Sequence, residues 1–297
     1  DDITVLKDGV LVSTGPASDL TPDELVRRMV GRSISTFFPA ALPGTEVGET
    51  RLQVTGGGNG YVTGVDLALR AGEIVGLAGL QGSGRTELAE AIFGAVPFTR
   101  GELRLDGAVV RIDRPRTAVR SGIALITEDR KAQGLALGQS VLDNALLVIR
   151  GVLPRRTSAA RAAVPSILES LEVSSQGTGQ EVQFLSGGNQ QKVVLAKWLA
   201  TEPIVVLLDE PTRGIDVGAK VAVYDLMREL AARGVAILMI SSELPEVIGM
   251  SDRILVMHDG RIAAELPAGS TEETVLAAAT GTSTGTSSAT LQQEEAS

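Results

Sequence analysis

Short apolar runs alternate with longer amphipathic stretches through most of the chain. Residues 73–79, 123–127, 204–209 and 235–241 are built mainly of Ile, Val, Leu, Ala and Met with charged or turn residues at their edges, and each predicts a buried strand. Residues 85–94, 186–199 and 218–232 place apolar side chains at helical spacing and predict helices. Strands that are apolar throughout need protein on both faces, so this alternation predicts a parallel sheet covered by helices on both sides. Between 134 and 181 the pattern turns helical without strands, which predicts a helical insertion.

The ends read differently. Asp1-Asp2-Ile3-Thr4-Val5-Leu6-Lys7-Asp8-Gly9 resembles Asp252-Arg253-Ile254-Leu255-Val256-Met257-His258-Asp259-Gly260. Both copies continue through an apolar strand into a Thr-led helix start, at Thr21 and Thr271, and close on a glycine, Gly31 and Gly281. An internal repeat of this kind predicts that residues 1–31 are the tail of one domain and that a second, related domain occupies 50–281. Residues 32–49, with Pro39, Pro43, Gly44 and Gly48, read as a linker. Residues 282–297, rich in Ser, Thr, Gly and Glu, read as a disordered tail.

Composition narrows the class. Aromatics are only 3% of residues, so the core must rest on Leu, Ile, Val and Ala. A net charge of −9 argues against a nucleic-acid partner, which needs clustered Lys and Arg. With no cysteine, disulfides and thiolate metal sites are excluded. No apolar stretch approaches the ~20 residues of a membrane span. No basic segment followed by an apolar one marks a signal peptide, so the expectation is a cytoplasmic protein that works at a membrane only through partners.

Three segments carry chemistry. After the strand at 73–79 come Gly79-Leu80-Gln81-Gly82-Ser83-Gly84-Arg85-Thr86, which match the phosphate-binding pattern GxxxxGK[ST] except that Arg85 stands for Lys. The glycines let backbone N–H groups face phosphates, the helix that follows adds its positive end, and Thr86 can offer its hydroxyl to Mg²⁺. Arginine is larger and planar, so it fits such a loop less well than lysine. The strand 205–208 ends in Asp209 and Glu210, suited to holding Mg²⁺ and to polarising an attacking water. Between them lies Leu185-Ser186-Gly187-Gly188-Asn189, a glycine turn that opens a helix.

Leu185–Asn189, followed by the acidic strand, resembles the LSGGQ signature of the ATP-binding cassette family, with Asn189 at its last position. The resemblance covers residues 50–281. It implies an α/β P-loop fold with a parallel-sheet core, an antiparallel β subdomain and a helical insertion. It also implies ATP and Mg²⁺ as ligands. In this family two cassettes sandwich two ATP molecules, each site taking a phosphate loop from one cassette and Ser186, Gly187, Gly188 and Asn189 or their counterparts from the other. Asp216, in Gly214-Ile215-Asp216, matches the aspartate that joins the cassettes.

Several positions depart from the family pattern. The glutamine that contacts Mg²⁺ is Glu128 here, followed by Asp129-Arg130-Lys131. The γ-phosphate histidine is replaced by Ser242, within Ser241-Ser242-Glu243. The expected adenine-stacking aromatic near residue 56 falls on Gly56-Gly57-Gly58, with Tyr61 nearby. The set Arg85, Glu128–Lys131 and Ser241–Glu243 resembles the second half of the tandem-cassette ATPases of bacterial monosaccharide importers. That resemblance implies an ATP hydrolase of a transport complex, weak or inactive in isolation. Its own phosphate loop is then degenerate and its signature serves the other cassette. The resemblance also implies a chain that is cytoplasmic and peripheral on the inner face of the cell membrane, with a first cassette, transmembrane permeases and, indirectly, a sugar-binding protein as partners. The alternatives are a soluble ABC ATPase outside transport and a regulatory cassette that binds nucleotide without hydrolysis. His258 and Trp198 read as structural.

Overall fold

The computed structural model describes residues 1–7, 10–21, 24, 25, 28 and 37–282. The predicted tail from residue 283 onward, and parts of the stretches predicted as a domain remnant and a linker, including Gly31, lie outside these residues. The strands are β1 (Asp2–Lys7), β2 (Val10–Pro16), β3 (Thr50–Gly58), β4 (Val65–Arg70), β5 (Ile74–Gly79), β6 (Arg100–Leu105), β7 (Ala108–Val109), β8 (Ile123–Ile126), β9 (Val205–Asp209), β10 (Ala236–Ile240), β11 (Arg253–His258) and β12 (Arg261–Pro267). The α-helices are α1 (Arg85–Phe93), α2 (Pro115–Arg120), α3 (Val141–Ala145), α4 (Leu147–Val152), α5 (Thr157–Ser170), α6 (Gly187–Leu199), α7 (Val217–Ala232), α8 (Leu244–Met250) and α9 (Glu272–Ala279).

The main sheet runs β12-β11-β5-β10-β9-β8. Its members from β11 to β8 are parallel, and β12 closes the edge antiparallel to β11. Every residue of β9 and β10 is buried, and all but Asp209 are apolar, as strands covered on both faces require. A second, antiparallel sheet, β4-β3-β6-β7, packs beside it. The helical stretch expected between 134 and 181 is α3 to α5. This is the predicted α/β cassette architecture with its antiparallel subdomain and helical insertion.

Packing density shows at single atoms. A Cβ placed on Gly76, in the middle of β5, would stand 2.1 Å from Ser251 Oγ, so the helix-to-strand turn at 251 presses on bare backbone. Trp198 stacks edge-on against Phe93 at 5.7 Å, joining α6 to α1. His258 meets the carbonyl of Ala279 at 2.9 Å through Nδ1, a contact between strand and terminal helix.

The two copies of the repeat fold alike. β1 and β2 pair from Asp2↔Pro16 to Lys7↔Val10, with a register shift between Val5 and Leu6. β11 and β12 pair from Arg253↔Pro267 to His258↔Arg261, with the shift between Val256 and Met257. The correspondence is a constant offset, position for position, bulge included. Thr21 Oγ1 accepts the amide of Glu24 and Thr271 Oγ1 that of Thr274. The copies differ in what lies beside them. β11 is flanked by β5, and Met257 is 0% exposed; β1 pairs only with β2 among the described residues, and its Leu6 is 58% exposed. Residues 37–49 lie along the main domain: Phe37 and Phe38 stack on Tyr224, and the Pro39 carbonyl accepts from Arg228 Nε at 2.9 Å.

Candidate functional site

Strand order decides what meets. β5, β10, β9 and β8 are neighbours in that order, so their carboxyl ends deliver the loops at 79–86, 241–243, 209–213 and 127–129 side by side. These loops line a cleft of about 430 Å³, within the range of small-molecule sites. Gly79, Gln81, Gly82, Ser83, Gly84, Arg85, Thr86, Glu128, Asp209, Glu210 and Ser242 all face it, together with Arg213.

The loop after β5 wraps into α1 through Gly84, whose φ of +100° suits glycine, and α1 has no side-chain cap. A Cβ on Gly84 would stand 3.1 Å from Gly260 Cα, so the next loop leaves no room for one. The helix therefore starts with its first N–H groups uncapped by a side chain, the arrangement that attracts anions. Ser83 Oγ is buried and has no hydrogen-bond partner among the described residues. Arg85 reaches across the cleft: its Nη1 donates to the Ser241 carbonyl at 2.8 Å.

The opposite wall is acidic. Asp209 is 3% exposed, and its Oδ1 has no hydrogen-bond partner among the described residues. Burial raises its pKa above the usual carboxylate range, against the opposing effects of the Thr86 hydroxyl and Arg85. Glu210 is also raised by burial, with Ser242 and Arg85 opposing and the Asp209 charge adding to the rise. Ser242 Oγ donates to Glu210 Oε2 at 3.1 Å. Glu210 has φ +48°, a left-handed conformation that costs a non-glycine residue and that recurs at functional sites. Glu90, one turn along α1, is raised by burial and by Glu87. The cleft thus holds an excess of carboxylate with an orphaned oxygen, a setting that suits a divalent cation. No group of three or more Asp, Glu or His residues forms a self-sufficient metal site among the described residues, so such an ion would need phosphate and water to complete its shell.

Glu128 lies at the mouth, where its carboxylate is ion-paired with Arg213. Tyr61 is 63% exposed on the loop before Val62, and Val62 Cγ1 lies 3.4 Å from the Cβ position of Gly84. Gly56 and Gly57 sit where the pairing of β3 with β4 and β6 shifts register.

Ser186, Gly187, Gly188, Asn189 and Asp216 are not part of this cleft. Ser186 caps α6, accepting from the Asn189 amide, and Asn189 turns inward: its Nδ2 donates to Ser186 Oγ at 3.0 Å and its Oδ1 accepts from the Ser174 amide at 2.8 Å. Asp216 caps α7 through the Ala219 amide, and its Oδ2 lies 3.3 Å from the Cβ position of Gly188. The chain places these residues together, apart from the loop at 79–86.

Some residues that brace this cleft carry no signal in the sequence. Glu246 is buried and accepts from the hydroxyls of Thr212 and Ser241, so it ties the loop after β9 to the one after β10. Arg130 stands in the sequence only as a member of the Glu128–Lys131 run, Lys197 as one more helix position, and Arg213 in no motif at all. Nothing in the local pattern marks any of them, because apart from Ser241, five positions before Glu246, their partners lie tens of residues away.

Comparison with known proteins adds to this geometry. A family model described as "ABC transporter" matches residues 62–213. The chain is 48% identical over 287 residues to the "Ribose import ATP-binding protein RbsA" of Geobacillus kaustophilus, covering 95% of this chain and 58% of that protein. It is 51% identical over 307 residues to the "Ribose import ATP-binding protein RbsA 2" of Rubrobacter xylanophilus, covering 99% and 57%. It is 48% identical over 268 residues to the "Putative ribose/galactose/methyl galactoside import ATP-binding protein 2" of Burkholderia lata, covering 88% and 50%. The chain spans about half the length of the curated relatives it matches. Among solved structures, a nucleotide-free ATP-binding cassette from an ABC transporter superposes with a TM-score of 0.65 at 22% identity, covering 77% of this chain and 95% of that one.

Proposed function

The chain belongs to the ABC transporter family of ATP-binding cassettes, and on that premise we propose that it is the ATP-binding part of a monosaccharide importer, driving uptake through membrane permeases. The observation that carries this reading is the likeness, over nearly the whole chain, to relatives named for ribose or ribose/galactose import. No helix among the described residues is long and apolar enough to cross a membrane, so transport would need permease partners. We infer further that residues 50–281 are the second of two cassettes and that β1 and β2 are the closing hairpin of a first. The shared register and bulge of the two hairpins support this.

In this reading the uncapped start of α1 and the loop at 79–86 bind the phosphates of ATP. Thr86, Asp209 and Glu128 are the residues that would hold Mg²⁺, which when bound neutralises charge on the phosphates. Asp209 Oδ1, buried and without a partner, fits that role. Glu210 would orient the attacking water and Ser242 would hold Glu210. Arg85 is tied to the Ser241 carbonyl and Ser242 is a neutral hydroxyl, so few positive groups meet a developing phosphate charge. Hydrolysis at this loop would be slow. Ser186, Gly187, Gly188, Asn189 and Asp216 would serve the site built on the other cassette's loop.

The test compares ATP turnover of this chain alone with turnover of the longer protein that restores a first cassette. Little activity alone and recovery on pairing are expected. Recovery that survives Ser186→Ala combined with Gly187→Asp would overturn the role given to that turn.

A further inference from the structure

Three stretches distant in sequence meet at an arginine outside the nucleotide cleft. After β8 the Asp129 carboxylate accepts the amides of Lys131 and Ala132 at 2.9 and 3.0 Å, and starts a single π-helical turn, Arg130–Gly134. Such a turn is rare and tends to mark a functional position. It aims Arg130 under the loop that follows β9. Its Nη1 donates to the Arg213 carbonyl at 2.8 Å and its Nη2 to the Gly214 carbonyl at 2.9 Å. The same Nη2 lies 2.9 Å from where a Cβ on Gly187 would stand. Its Nε is buried without a partner among the described residues, so the two carbonyls hold the guanidinium.

Further ties close the joint. Glu128, on one side of Arg130, is ion-paired with the Arg213 side chain. Gly134, at the end of the turn, accepts at 2.5 Å from Lys197 Nζ on α6. The π-turn is thereby bonded both to the loop that leads to Asp216 and to the helix that Ser186 caps.

We propose that Arg130 is a positioning residue that locks the Glu128 segment, the Asp216 loop and the turn at 186–189 into one body. The planar fork of arginine serves two neighbouring carbonyls at once; a lysine could serve only one. Gly187 then has a reason beyond phosphate binding, since any side chain there displaces the guanidinium. A displacement felt at Glu128 would reach Ser186–Asn189 through the close approach of Arg130 to Gly187 and through α6, which Lys197 ties to Gly134, without passing through the nucleotide. This last consequence rests on the proposed function, in which that turn serves a second cassette; the joint itself does not.

Two measurements separate the two ideas. In this chain, amide hydrogen exchange is followed for Arg130→Ala and Arg130→Lys. Ala219 and Lys220, bonded to Asp216, and Gln190, bonded to Ser186, report on the joint. Exchange about tenfold faster at these amides in Arg130→Ala, an intermediate effect in Arg130→Lys and no change in β5 are expected for a lost local brace. Unchanged protection at these amides overturns the proposal. Should Arg130→Ala fail to fold, Gly187→Ala attacks the same contact from the other side and must loosen Ala219 and Lys220. In the longer protein with both cassettes, kcat for ATP should fall about tenfold in Arg130→Ala while KM stays within twofold. A change in KM alone also overturns it. A longer wild-type protein without turnover would instead refute the importer reading, and the exchange result would still decide the joint.

Discussion

Replacing Lys197 with methionine should change how stability depends on pH. Lys197 is 4% exposed; its Nζ donates to the Gly134 carbonyl at 2.5 Å and lies 5.3 Å from the centre of the Trp198 ring. Burial lowers its pKa from 10.5 to about 8. In the unfolded chain the amine keeps its ordinary value, so between pH 8 and 10.5 the unfolded state binds a proton that the folded state has lost. Stability therefore rises with pH across that window, and below it the folded state carries the full cost of a buried charge. At about 1.4 kcal/mol per pH unit, the gap corresponds to roughly 3 kcal/mol. Methionine removes that cost but strips the Gly134 carbonyl of its donor, a loss of about 1–2 kcal/mol. The variant should be more stable than the wild type by about 1–2 kcal/mol at pH 7.

The assay is urea unfolding followed by the emission of Trp198, the one tryptophan of the chain, at pH values from about 6.5 to 9.5. The advantage of Lys197→Met should be flat below about pH 7.5 and shrink above pH 8 at up to about 1.4 kcal/mol per pH unit. Tyr224, raised by its burial and by Glu246, titrates in both proteins and cancels in the difference. A difference between the two proteins that does not vary with pH would refute the reasoning, because it would mean that Lys197 keeps its proton equally in both states.

Two further outcomes follow from the cleft. Arg85→Ala removes the cation that spans the cleft and should weaken binding of a fluorescent ATP analogue about tenfold, read by equilibrium titration of this chain. Glu246→Leu leaves the hydroxyls of Thr212 and Ser241 without their acceptor and should cost about 2–4 kcal/mol in urea unfolding, with Glu246→Gln costing less than half as much.

Much of this protein was legible in its sequence, for reasons that are local. A strand buried on both faces must be apolar at every position, and 205–208 and 236–240 are. A side chain that can accept from a helix's first amides marks where the helix starts, and Ser186, Asp216 and Thr271 stand at the starts of α6, α7 and α9. The glycines at 79, 82 and 84 mark a loop that no other residue could close so tightly. The duplicated hairpin was readable because like segments bend alike.

What the sequence left undecided is which local pieces face each other. Only the sheet order sets β10 between β5 and β9, and that order brings Ser241 to Arg85 across 156 positions and Ser242 to Glu210. Arg130 finds its carbonyls 83 and 84 positions away, and Lys197 meets Gly134 at 63. No window of sequence contains these pairs. Their formation waits on chain crossovers whose cost depends on loop closure and whose reward appears only once the sheet is assembled. The residue types carry the chemistry on their own; the tertiary structure decides that Arg85 points at a carbonyl, that Asp209 keeps an orphaned oxygen, and that one arginine holds together the loops on which Asp216 and Ser186 depend.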